Sequence, residues 1–209
     1  MSSVTVRGSA IAAVTPDRAE LTLSLTHLAA DPAAALDHVA AASQQLEAML
    51  ERHGFTRSDW ATEGVQVGEE HQWKNDSNVL VGFRATTALS VTIRSAELVS
   101  VVIREGVTGA GASVRNLVWR VDATNPARRE LLAEAARDAR VRANAYVEAL
   151  ALRLGEVEII SEVAIEPEPS PQPRAMMAMA KASDSAELSV SGGLVELGAE
   201  VYVRFAILR

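Results

Sequence analysis

A chain of 209 residues with 48% apolar content has enough material for one large domain or two small ones with a sizeable core. Its 20 Lys plus Arg against 27 Asp plus Glu leave a formal charge of -7, which opposes nucleic acid and anionic membrane surfaces as partners. The lack of cysteine excludes disulfides, thiolate zinc sites and cysteine nucleophiles together.

The amino terminus lacks the basic region and apolar run of a secretory signal, so the chain as written is expected to stay in the cytoplasm. No apolar stretch approaches the roughly 20 residues that a transmembrane helix needs. Val4 and Val6 alternate with polar residues before Gly8 and predict a short strand ending at a turn; Pro16-Asp17 predicts a second turn. Leu21, Leu23 and Leu25 then alternate with Glu20, Thr22, Ser24 and Thr26, the pattern of a strand with one buried face. Asp31-Pro32 is an N-cap followed by an N1 proline, and Leu36, Val39, Leu46, Met49 and Leu50 recur at helical spacing until Gly54. The opening unit thus reads as a two-strand segment followed by a helix.

Trp60, Val65 and Val67 mark an irregular strand, and Lys74 to Asn78 form a polar turn cluster. From Phe83 to Ile93 apolar and polar residues alternate again, so a long antiparallel hairpin is predicted. A helix beginning at Ser95 carries Leu98, Val99, Val102 and Ile103 and is expected to end near Gly106 or Gly109. Val114, Leu117, Val118, Trp119 and Val121 predict another strand.

The longest helical pattern spans 126–154, capped by Asn125 and Pro126 and stopped at Gly155. Its expected apolar face is Leu131, Leu132, Ala135, Ala139, Ala143, Tyr146, Val147, Leu150 and Leu154. Val157, Ile159 and Ile160 open a strand running to about Ile165, before a long Pro/Met-rich loop at 166–187 with four of the chain's prolines. Val195 to Ile207 alternates as a long terminal strand. Hairpin signals outnumber βαβ punctuation, which predicts an α+β fold: an antiparallel or mixed sheet covered by helices. It reads as a single domain over 1–209 or as two αβ halves meeting near 122.

In order and spacing the chain resembles the SIMPL-domain family, a widespread group of unknown function that includes a bacterial periplasmic antigen group. The marks are Val4-x-Val6-x-Gly8 with Pro16-Asp17-x-Ala19; Gly54 with Asp59 and Thr62; and Gly82-Phe83-x-Ala85. Ala135-x-x-Asp138-Ala139-Arg140 with Ala143, Leu154-Gly155, and the alternation from Val195 to Phe205 after Gly193 complete them. Arg174 with Met176, Met177 and Met179 is similar to the family's Met-rich segment. The resemblance implies an α+β fold, no established enzymatic activity, oligomeric rings in some members, and associations with envelope integrity or stress tolerance. Three departures stand out: no export signal, Phe83 where tyrosine is usual, and Gly192 where proline is usual.

Candidate chemistry is thin. Asp17 has no second carboxylate or histidine at a useful local spacing, so it reads as a turn cap. His27, His38, His53 and His71 lack metal-pair spacing. The glycine-rich pieces fit neither a G-x-S-x-G elbow nor a phosphate loop. The six arginines from Arg128 to Arg153 are interleaved with Glu130, Glu134, Asp138 and Glu148, as on a solvated helix face. Trp60, Trp73 and Trp119 read as core or rim residues rather than base-stacking platforms. No cofactor, metal or catalytic residue is expected.

Arg174, Met176, Met177 and Met179 are the candidate interaction residues, an adaptable apolar knot docking on a neighbouring subunit or folding back over its own sheet. The function expected is a non-enzymatic, self-associating protein acting through protein contacts with its own copies and an unknown partner. The alternative is a hydrolase or small-ligand-binding enzyme whose site gathers sequence-distant residues such as Asp17, Asp59 or a histidine.

Overall fold

The computed structural model describes residues 2–74, 76–164 and 192–209. In chain order its elements are β1 (Ser3–Val14), β2 (Arg18–Ala29), α1 (Pro32–Arg52), β3 (Trp60–Lys74) and β4 (Ser77–Ile93). They continue with α2 (Ala96–Ala110), β5 (Ser113–Arg120), α3 (Pro126–Ala149), β6 (Arg153–Ser161) and β7 (Val195–Leu208). The strands form two sheets, ordered β1-β7-β6 and β3-β4-β2-β5, and every pairing is antiparallel. The fold is therefore α+β.

Backbone contacts divide the described residues into two units, one drawn from 2–15, 122–164 and 194–209 and the other from 16–74, 76–121 and 192–193. In the second unit, Leu21, Leu23 and Leu25 of β2 and Leu89, Val91 and Ile93 of β4 lie on one sheet face. That face is covered by Val39, Leu46 and Leu50 of α1 and Val99 and Val102 of α2, all buried. Helix α1 starts as its sequence dictates, with the Asp31 carboxylate accepting the Ala34 N–H at 2.9 Å. Helix α2 runs to Ala110, next to Gly109, the later of the two expected stops. Gly106 is buried within it beside Leu23 and Leu46, and Gly111, at φ 65°, takes the left-handed C-cap.

In the first unit α3 packs chiefly on β1 and β7. Its core is made of Val6, Ala135, Ala139, Ala143, Val201, Val203 and Phe205. Small residues on the helix let its backbone come close to the sheet, and Gly8 completes the approach: a Cβ there would overlap the Ala135 carbonyl oxygen and the Ala139 nitrogen. Gly8 therefore lies within a twelve-residue strand, not at a turn. Its neighbour Ser9 donates its backbone N–H to Asp138 Oδ2 at 2.9 Å, and Arg142 Nε donates to the same oxygen at 2.8 Å. Glycine and aspartate thus fasten α3 to β1.

Further expectations about this unit need correction. Strand β1 forms no two-strand unit with β2, its neighbour in sequence; it pairs with β7. Helix α3 ends at Ala149, five residues short of 154, because Ala151 adopts φ 54°. Leu152 then donates to Val147 O at 2.8 Å and Ala151 to Glu148 O at 3.0 Å, a Schellman closure. Leu154 and Gly155 consequently belong to β6, where a Cβ on Gly155 would sit 3.0 Å from Ala206. Strand β6 ends at Ser161 rather than near Ile165. The buried stripe of α3 is also narrower than its apolar sequence. Leu131, Ala135, Ala139, Ala143 and Val147 are buried, whereas Leu132, Tyr146 and Leu150 are 42%, 61% and 69% exposed. A helix seated chiefly on two strands has room for one ridge of side chains.

Candidate functional site

Strand β4 is longer than its inner neighbour. It pairs with β2 only from Phe83 to Ile93, but with β3 from Val91 out to the Lys74–Ser77 pair at the tip. From Glu70 to Lys74 and from Ser77 to Gly82 the two strands have only each other, so the hairpin extends past the sheet as a two-stranded arm. The sequence explains the point of departure. At Gly82, φ is 147° and a Cβ would lie 2.5 Å from the Ala29 carbonyl oxygen at the end of β2, so only glycine fits. At the tip Asp76 takes φ 57°, as tight hairpins demand.

The arm is apolar where an isolated ribbon should be polar. Trp73, Val79, Leu80 and Val81 are 69%, 41%, 46% and 38% exposed, and Val65 and Val67 of β3 are exposed as well. A register shift between Glu70 and His71 leaves Val81 unpaired and sets His71 opposite Leu80 and Trp73 opposite Asn78. The base carries a bidentate pair in which Arg84 Nε and Nη2 donate to Glu70 at 2.9 and 2.7 Å. That hydrogen bond holds the Glu70 carboxyl below its ordinary range and the Arg84 guanidinium above its own. His71 Nε2 lies 3.6 Å from Glu69 Oε2. A two-stranded ribbon is marginal in water, and exposed apolar edge strands of this length invite pairing.

The residues singled out in the sequence are scattered. Arg174, Met176, Met177 and Met179 lie outside the described residues. The Asp17 N–H donates to Arg120 O at 2.9 Å, which carries the pairing of β2 with β5 one residue past Arg18. Asp59 accepts the Thr56 N–H and hydroxyl, both at 2.7 Å, in a capping arrangement that lowers its pKa, the backbone hydrogen bond first. Glu20 is spanned by Arg120 and Arg18 at 3.0 and 3.1 Å on the sheet's outer face, and its pKa is lowered mainly by Arg120. His27 and His38 stack at 3.8 Å, and His53 lies 3.0 Å from Glu105. Among the described residues no three His, Asp or Glu side chains gather as a metal site.

Trp60 is buried in the core. Trp73 belongs to neither core nor rim, because the strand carrying it has left the sheet. The sequence carried a signal for this: apolar alternation continues beyond Phe83 through Val81 and Val79, into a stretch that β2 is too short to reach.

Two cavities lie beside α1. A groove of about 440 Å³ between α1 and α2 has Leu46, Ala48 and Met49 on its lining and Arg52 and Glu105 among its polar residues. A smaller one of about 210 Å³ gathers His53, Asp59, Thr92, Arg94 and Ser95. In the latter the aspartate is already committed to its cap and the histidine faces Glu105.

No helix among the described residues is long and apolar enough to cross a membrane. The family model described as "SIMPL: Protein of unknown function (DUF541)" matches residues 4–205. No curated protein matches the chain.

Proposed function

The chain belongs to the SIMPL family, and on that footing we propose that it is a non-enzymatic protein that associates with its own copies and acts through protein contacts. The observation that carries this is the β3–β4 arm: a two-stranded ribbon that, among the described residues, joins neither helix-covered core, with Trp73, Val79, Leu80 and Val81 exposed. Apolar surface on a paired but uncovered ribbon is stabilised when a second surface takes it out of water. Arg174, Met176, Met177 and Met179 supply a second candidate contact on the strength of sequence alone. The proposal extends to a role in stress tolerance or envelope-related processes, for which the family resemblance is the only support.

The test compares the full chain with a variant whose arm is cut from Glu70–Gly82 to a short turn. Light scattering at about 50 μM, well above a typical specific Kd, should give an oligomer for the first and a lower mass for the second. A strictly monomeric full chain would sink the proposal.

The alternative, an enzyme or ligand-binding protein, has in its favour the cavity that gathers His53 and Asp59. The lowered pKa of Asp59 and its double hydrogen bond to Thr56 oppose its use as a proton donor near neutral pH.

A further inference from the structure

Among the described residues strand β3 is an edge strand, its outer backbone groups facing no partner strand in the sheet. We propose that two copies of the chain join arm to arm, the outer edge of β3 in one pairing antiparallel with the same edge of the other about a two-fold axis at Gln72. This rests on the self-association reading above and names the surface and its occupant.

Register and charge select this axis. Two identical antiparallel edges in a continuous sheet are related by a two-fold axis perpendicular to it, which passes through a residue and opposes residues equally distant on either side. The charged residues of β3 are Glu63, Glu69, Glu70 and Lys74. An axis at Gln66 sets Glu63 against Glu69, and an axis at Glu69 or Glu70 sets that carboxylate against its own copy; directly opposed like charges are unfavourable. Only an axis at Gln72 sets a carboxylate against the lysine, placing Glu70 of each copy opposite Lys74 of the other. The same register puts Trp73 beside the second copy's His71, whose own cross-strand neighbour is Leu80. An exposed tryptophan thereby gains an aromatic partner.

The charges around this junction are few and compatible. Arg84 already faces Glu70 from β4 and leaves that carboxylate ionised for a second cation. His71 lies beside Glu69 on its own strand. The four-stranded ribbon that results, β4-β3-β3-β4, replaces two marginal ribbons with one sheet of ordinary width.

The lack of any cysteine in the chain makes the test clean. In the full chain, Gln72→Cys brings two thiols face to face across the axis, with Cβ atoms about 5 Å apart. Mild oxidation or a short bis-thiol linker should convert most of it to a covalent dimer on a non-reducing gel. Gln66→Cys, on the same edge but away from the axis, should stay monomeric on that gel. Lys74→Glu should weaken the dimer about tenfold or more, since it opposes two carboxylates. If the Gln72→Cys variant keeps the parent's oligomeric mass yet never cross-links, the arm-to-arm pairing is overturned while self-association stands, and the β3 edge is left to an extended segment of another protein. A monomer at all concentrations would overturn both.

Discussion

At Gly8 a methyl group would overlap the backbone of α3 at Ala135 and Ala139, and neither atom can rotate away. Substitution by alanine therefore has to move the helix off the sheet. Gly8→Ala is expected to cost about 3 kcal/mol, at the upper end for overpacking, read as a fall in the urea midpoint. Asp138 fastens the same contact by charge. Its carboxyl is held below the ordinary aspartate range, first by the Ser9 N–H and then by Arg142. A depressed folded-state pKa means that the unfolded chain binds more protons at low pH. The contribution is therefore complete above about pH 4, the ordinary aspartate value, and is lost as pH falls through the folded value. Asp138→Asn should lower the urea midpoint at pH near 6 and leave a much smaller gap below about pH 3. An equal gap at both would refute the assignment. The resemblance had singled out Gly8, Asp138 and Ala139, and all three serve the joint between helix and strand.

Helix α3 shows how far element-level reading reaches. Its start was legible because capping chemistry is local: Asn125 Oδ1 accepts the Ala127 N–H at 2.9 Å, beside Pro126. Its end was not, because Ala151 takes the left-handed conformation that sequence patterns reserve for glycine, while the nearby Gly155 serves strand packing. Ala151→Gly should accordingly stabilise the protein by about 1 kcal/mol, measured as a rise in melting temperature. The strand alternations of β2, β4 and β7 were legible for the same local reason as the cap. Two things were not: the pairing of β1 with β7, which depends on residues at opposite ends of the chain, and the arm, which depends on the difference in length between β4 and β2. Periodicity reports which face is apolar but not what covers it, so Leu132 and Tyr146, expected on the apolar face of α3, and Trp73, expected at core or rim, are all exposed.

For the molecule as a whole, the arm matters because it can be separated from folding. Its residues beyond Gly82 and Glu70 pair only within the hairpin, and the two core clusters contain none of them. Leu89, Val91 and Ile93, the large side chains that β4 contributes to the core of this sheet, all lie on the other side of Gly82, within the span of β4 that β2 also pairs with. Shortening the arm should thus remove assembly without removing structure. The shortened chain should keep its far-ultraviolet circular dichroism per residue and, at a concentration low enough for the parent to be monomeric, the parent's melting temperature. At high concentration the parent alone should melt later as concentration rises, because association stabilises only the folded state. A shortened chain that unfolds even when dilute would show that the arm supports the fold, and its exposed tryptophan and valines would then need a partner within the same chain.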